Sequence, residues 1–353
     1  MPNSIYINAI KQISAQQPLT DAWFDEPIFY DEPYVRALEP DYKQFFTPNE
    51  SRRLGKILKR ALLVSRQAMS ESGGALPDAI ITGTGLGCIE NTEIFLDKLV
   101  REGEELLNPT HFMQSTHNTI SSLIAIDAKC NAYNITYAHK GISFECALQD
   151  AFMQMKSATT ALVGAHDEMT PAYFTLLKKA GFLGQENQVF AGETAVAMML
   201  STEKSEKTLC QIEKVEKVYR GVKGVRGVKE LGGSKELEGV RELEGVSEVD
   251  YIMVGVNGVE ENDSVYFENC AKLFPNIPLL QYKNIFGESY TAPALGVYAA
   301  AVCLQRGEVP RHLRMENSMS DVRQSYEGKP IRKILCYNHF ENKNHTFILL
   351  SKS

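Results

Sequence analysis

A short strand that stops in a two-residue turn and feeds at once into a long apolar helix constrains this chain more than any other feature. Residues 134–139 read N-I-T-Y-A-H, residues 140–141 are Lys-Gly, and I-S-F-E-C-A-L-Q-D-A-F-M-Q-M follows. A strand launching a buried helix in this way is the geometry of a nucleophile elbow. It exposes one turn side chain at a helix N-terminus, where free backbone N–H groups and the helix dipole favour negative charge. A nucleophile is the residue that would do chemistry there. From Ala138 to Ile142, however, the chain reads A-H-K-G-I, with neither cysteine nor serine.

Strands and helices alternate on both sides of this elbow. Strands are expected at 5–12, 78–84, 159–165, 194–201, 208–219, 250–256 and 278–282, with a closing hairpin at 331–338 and 345–351. Helices are expected at 49–72, 91–101, 117–129, 263–273 and 292–306, from apolar residues at helical spacing. Such alternation in two similar halves predicts a layered α/β fold with helices between and outside sheets. One segment breaks the pattern: residues 220–249 repeat R-G-V-K-G-V, then K-E-L-E-G-V and R-E-L-E-G-V. Three hexads are too few for a solenoid core and their glycines weaken any helix, so a charged surface insertion is expected.

Composition removes several functions. With 353 residues there is ample chain for a large core. No apolar run approaches the eighteen or so residues of a membrane span. The N-terminus has no basic, then apolar, leader pattern, and seven cysteines are scattered singly, so a cytoplasmic, reduced protein is expected. A net charge of −7 with mixed signs does not suggest nucleic-acid binding. The G-T-G-L-G run lacks full dinucleotide-loop spacing and reads as a tight strand exit. His111 and His117 lack partners at metal spacing, so neither cofactor nor metal is expected. Arg52, Arg53, Lys56, Lys59 and Arg60 form a basic cluster that reads as a solvated helix face or a local dock for an acidic carrier.

The order of these pieces resembles the β-ketoacyl synthases of the thiolase superfamily, from Ile5 nearly to the end. D-A-I-I-T-G-T-G-L-G-C-I-E-N-T (78–92) is similar to the family's early strand with its Gly-rich exit. A-G-E-T-A-V-A-M-M-L (191–200) is similar to the strand closing the first half. Y-K-N-I-F-G-E-S-Y-T-A-P-A-L-G (282–296) resembles the K-x-x-x-G-H helix start, and Y-N-H-F-E-N-K-N-H-T (337–346) the final N-x-F-G-F-G-G segment. The first half is the closer match and most resembles small ketosynthase-like, chain-length-factor-like proteins of aryl-polyene and flexirubin-type clusters. The resemblance implies a thiolase-like αβαβα fold with two related halves, 1–203 and 204–353. The second half should be reduced, with the 220–249 insertion where its first helix would lie.

The resemblance also implies a catalytic set of one cysteine and two histidines, and the chain departs from it at each place. Lys140 or Gly141 stands where the cysteine belongs, Asn257 at the first histidine position and Glu288 at the second; Lys283 is retained. A Lys140–Glu288 pair would plug the site, or Lys140 points to solvent or a partner chain. Cys146 lies more than a turn inside the helix and reads as core. Ser143, His139, Met113, Phe144 and Phe340 are candidate pocket residues by position, and each also has an ordinary structural reading. The implied function is a chain-length or initiation-factor-like partner of an active ketosynthase, as a heterodimer or homodimer, in contact with acyl carrier protein. A condensing or decarboxylating enzyme with altered groups and a carrier-docking module are the alternatives.

Overall fold

The computed structural model describes residues 4–104, 109–219, 248–315 and 330–353. Five strands belong to the first half: β1 (Ile5–Ile13), β2 (Ala79–Gly83), β3 (Tyr133–Tyr137), β4 (Thr160–Asp167) and β5 (Thr194–Ser201). Its helices are α1 (Pro48–Arg53), α2 (Lys56–Glu71), α3 (Ile89–Glu102), α4 (Pro109–Ser115), α5 (Thr119–Ala128), α6 (Ser143–Gln154) and α7 (Pro171–Lys179). The second half contributes β6 (Cys210–Tyr219), β7 (Tyr251–Val254), β8 (Leu279–Gln281), β9 (Lys333–Phe340) and β10 (Asn344–Ser351). With them come α8 (Glu260–Leu273), α9 (Lys283–Phe286) and α10 (Pro293–Arg306).

The strands run in the order β3-β2-β4-β5-β1-β6-β10-β9-β7-β8. Read outward from the middle, the two halves repeat one topology. β2 is flanked by two parallel neighbours, β3 and β4, and β5 and β1 follow antiparallel. β7 is flanked in parallel by β8 and β9, and β10 and β6 follow antiparallel. A short antiparallel register, Ile5 with Ile212 and Ile7 with Cys210, joins the halves. Every strand of the first half therefore has a counterpart in the second. The first helix expected to be missing from the second half would fall between β6 and β7, and with it most of the repeat segment; residues 220–247 lie outside the described residues.

Strand alternation sorts the apolar residues into three layers. In β4, Ala161, Val163 and Ala165 face a central core, and Leu162 faces an outer one. In β9, Ile334 and Cys336 face the same central core, and Leu335 and Tyr337 an outer one on the other side. The central layer is filled by α6 and α10, and α10 is buried from Pro293 to Leu304. α2 and α5 cover the outer face of the first half, and α8 that of the second. The result is an αβαβα sandwich. The central helices carry small residues where neighbours approach closely: a Cβ at Gly296 of α10 would press on the Tyr282 ring.

The sequence expectation of one helix over 49–72 is corrected. Leu54 is extended and Gly55 acts as the N-cap of α2, so α1 and α2 are separate. α1 has its own Thr47–Glu50 capping box. Arg60 is also corrected. It lies on the buried face of α2, between Glu39 at 2.5 Å and Glu193 at 2.9 Å. It is thus no part of a solvated basic face, whereas Arg52, Arg53 and Lys56 are exposed.

Candidate functional site

β3 ends at Tyr137, and the chain turns through His139 and Lys140 into a one-turn 3-10 segment that leads directly into α6. Lys140 has φ of +45°, in the left-handed region where a non-glycine side chain is strained. The turn is held from within. The Ser143 hydroxyl donates to the Lys140 carbonyl and accepts from the His139 N–H, both at 2.7 Å. Gly141 leaves room for Phe340, whose ring a Cβ at that position would overlap. Asn338 Nδ2 donates to the Gly141 carbonyl at 3.0 Å, tying the end of β9 to the turn. The G-T-G-L-G loop supports the same region from behind: Asp167 accepts from Thr84 Oγ1 and from the N–H groups of Gly85 and Leu86, each at 2.9 Å.

Lys140 and Gly141 line a cavity of about 450 Å³, together with Asn257, Lys283, Glu288 and Phe340. Six residues chosen from four separate stretches of sequence therefore meet at one place. Glu288 accepts from Lys283 Nζ at 2.7 Å and from Asn257 Nδ2 at 2.9 Å. The loop carrying Asn257 is fixed by Asp263, which accepts from the N–H groups of Asn257 and Gly258, each at 2.9 Å. Of the two arrangements open from the sequence, the Lys140–Glu288 plug is not formed and Lys140 is exposed. Glu288 is engaged by Lys283 and Asn257, and the cavity stays open.

The other candidates lie elsewhere. Ser143 and Phe144 are fully buried beneath the turn and are not among the lining residues; Phe144 belongs to the central core. His139 is exposed beside the elbow, outside the lining. Met113 is exposed on α4, also outside it. Cys146 is buried, with Lys217 Nζ at 3.3 Å from its sulfur; burial raises its thiol pKa and the lysine opposes the rise.

Sequence reasoning missed Tyr290, Tyr173, His339 and Glu145. The first three line the cavity; the Tyr290 ring meets Phe340 edge-on at 6.2 Å. His339 directs Nε2 at the Asn262 carbonyl, 2.9 Å away, so that nitrogen carries the proton. Glu145 lies one helical turn below the elbow. It accepts from Asn338 Nδ2 at 2.7 Å and Thr346 Oγ1 at 3.1 Å, and its Oε2 has no hydrogen-bond partner. Burial pushes its carboxyl up to about 7. A void of about 10 Å³ beside it is near the size of a single water. A buried helix glutamate between apolar residues was the available signal, in the run S-F-E-C-A-L.

An elbow, a central helix pair and two five-stranded half-sheets of matching topology define a condensing-enzyme fold of the thiolase type. The chain belongs to the β-ketoacyl synthase family: the beta-ketoacyl synthase N-terminal domain matches residues 34–234. Among curated proteins, none matches this chain by sequence. Solved structures match over their whole length. The ishigamide ketosynthase/chain length factor aligns at TM-score 0.74 with 15% identity, covering 99% of each chain. A ketosynthase in complex with its chain length factor from Xenorhabdus doucetiae aligns at 0.76 with 14% identity, covering 99% of this chain and 98% of that one. A beta-ketoacyl synthase from Burkholderia phymatum aligns at 0.77 with 12% identity and 99% coverage of each. At these identities the likeness is one of fold.

Proposed function

We propose that this chain is a partner subunit of an active ketosynthase, a chain-length or initiation-factor-like protein that forms a heterodimer with it in fatty-acid-like or aryl-polyene assembly. The observation that carries the reading is the cavity's occupancy by type. Its turn residue is a lysine, and at the family's histidine positions Asn257 donates to Glu288, which also accepts from Lys283. Condensation by this family's route needs a thiolate at the elbow to accept the acyl chain. The lining contains no cysteine among the described residues.

Two further observations support the reading. Structures of the same fold include ketosynthases with chain length factors and a ketosynthase with its acyl carrier protein, so a synthase and a carrier are the partners we infer. β3, at the end of the sheet, leaves Tyr133 and Ile135 39% and 36% exposed on a strand with one edge unpaired among the described residues. An apolar, unpaired edge is a ready template for another chain. No described helix is long and apolar enough to cross a membrane, and a cytoplasmic location is inferred with the rest.

The test is acyl transfer and pairing. The chain is incubated with acyl-carrier thioester and adducts are mapped by intact mass and peptide digestion; no adduct is expected at Lys140, Ser143 or Cys146. Co-expression with an active ketosynthase that carries the cysteine and both histidines should give a co-purifying pair that condenses malonyl units when this chain alone does not. A stable homodimer that condenses unaided would instead support the enzyme reading, with Lys283, Glu288 and Asn257 polarising the thioester.

A further inference from the structure

We propose that Cys146 and Lys217 form a redox modification site, at which peroxide joins the cysteine sulfur to the lysine nitrogen through one bridging oxygen. Lys217 Nζ lies 3.3 Å from Cys146 Sγ. Among the described residues Lys217 enters no ion pair, and this thiol is the one partner of its ammonium. All seven cysteines are free, and among the described residues Cys146 is the one whose sulfur meets an amine.

The fold brings the two side chains together by register. β6 pairs with β10 so that Lys217 stands opposite Thr346. Two successive residues of α6 meet this pair: Glu145 accepts from Thr346 Oγ1 at 3.1 Å, and Cys146 from Lys217. Val215, two residues before Lys217 and so on the same face of β6, packs on the central core. The lysine is therefore held against the helix by the sheet. Cys146 is 7% exposed and Lys217 half-buried beside it, an approach that suits an oxidant as small as peroxide. Burial raises the thiol pKa and the ammonium opposes the rise, favouring the thiolate that peroxide attacks.

Oxidation begins at sulfur: one peroxide takes the thiol to a sulfenic acid and leaves as water. A sulfenic acid is usually captured by a second thiol or by a nitrogen, and here the group in contact with the sulfur is an amine. A second peroxide oxidises that nitrogen to the hydroxylamine level, releasing water and the ammonium's extra proton. The hydroxylamine oxygen then bonds to sulfur, and the sulfenic hydroxyl departs as a third water. Sulfur and nitrogen each lose two electrons, and the two peroxides take up the four. The 3.3 Å contact favours this bridge, since one oxygen atom spans most of the gap and a direct sulfur–nitrogen bond would have to close about half of it. The bridge would tie α6 of the first half to β6 of the second, across residues 71 apart in the chain. Closing so long a loop restricts the unfolded chain as a disulfide does.

The experiment treats the full chain with a few-fold excess of hydrogen peroxide, quenches with catalase, blocks free thiols and maps peptides by mass spectrometry. The expected product is the Cys146 peptide joined to the Lys217 peptide, heavier than their sum by one oxygen less two hydrogens. Trypsin should no longer cut after Lys217, and dithiothreitol should restore both peptides. The thermal midpoint should rise on oxidation and return on reduction. Lys217→Arg, which keeps the charge and the long stem, and Cys146→Ser should each give neither linked peptide nor shift. Cys146 left reduced, or carried to sulfinic acid with Lys217 still cut by trypsin, would overturn the proposal. So would a linked pair that has gained no oxygen, or one that persists in Lys217→Arg. The wild-type mass decides by itself, so a variant that folds poorly does not cloud the result.

Discussion

Gly141 and Phe340 meet so closely that neither can change alone. A methyl group at residue 141 would overlap the Phe340 ring. Gly141→Ala is therefore expected to cost about 1–3 kcal/mol, the usual cost of overpacking. Phe340→Ala should restore much of it, giving a coupling above about 0.5 kcal/mol in a double-mutant cycle read by chemical denaturation; additive effects would place the ring elsewhere. Glu145 gives a second test, with a sign fixed by its pKa. The carboxyl is raised by burial to about 7 in the folded chain, from about 4.3 when unfolded. Between these values the folded state retains a proton that the unfolded state releases, so stability falls as pH rises through the window and levels off above it. Glu145→Gln removes that slope. Relative to wild type, the variant should gain stability from pH 4.5 to pH 8 by up to about 3 kcal/mol. Glu168, also pushed up to about 7, acts equally in both proteins and cancels. A difference between variant and wild type that does not vary with pH would show that Glu145 is ionised throughout.

Among the elements, α2 shows what patterning reveals and what it conceals. Its apolar spacing marks a helix plainly, and Ile57, Leu58, Ala61 and Leu62 are core as that spacing requires. Nothing in the spacing shows that Arg60 lies on the same face, because its partners Glu39 and Glu193 come from remote segments. Removing one member of such a cluster leaves charge buried without an answer. Arg60→Met should cost about 3–5 kcal/mol, and Arg60→Met with Glu193→Gln less than the single change, by thermal or urea unfolding. The break at Leu54–Gly55 was concealed likewise, since apolar spacing runs through it and only the cap geometry of α2 exposes it. α7 went unseen because no sequence expectation covered residues 171–179, although Thr170 caps it and Pro171 opens it. The strands were legible to within about two residues, since most are short apolar runs buried on both faces. The elbow was legible for the same reason: a strand, a tight turn and an apolar helix are each local signals. The cavity was legible only through motif resemblance. The bonds from Glu288 to Lys283 and Asn257 depend on a register between distant loops that no local pattern contains.

At the scale of the molecule, the two halves share one strand topology, yet their sheet ends differ in exposure. β8, at the second half's end, has three residues, with Leu280 fully buried. β3, at the first half's end, has five, with Tyr133 and Ile135 exposed. A long apolar edge left open is a liability for a chain that works alone and an asset for one that pairs. A permanent interface of this kind would bury upwards of about 2,000 Å² and be apolar at its centre. Ile135 would then lose its exposure on pairing, and a lysine there would place a charge in the contact. Ile135→Lys is expected to change the unfolding of the isolated chain by no more than about 0.5 kcal/mol, as exposed substitutions do. The same change should abolish co-purification with the synthase and the condensing activity of the pair together. Size-exclusion chromatography of the co-expressed chains reads the first outcome and product formation the second. If the variant still elutes with the synthase as one species, the contact lies on another face, and the exposed β3 edge needs a different partner.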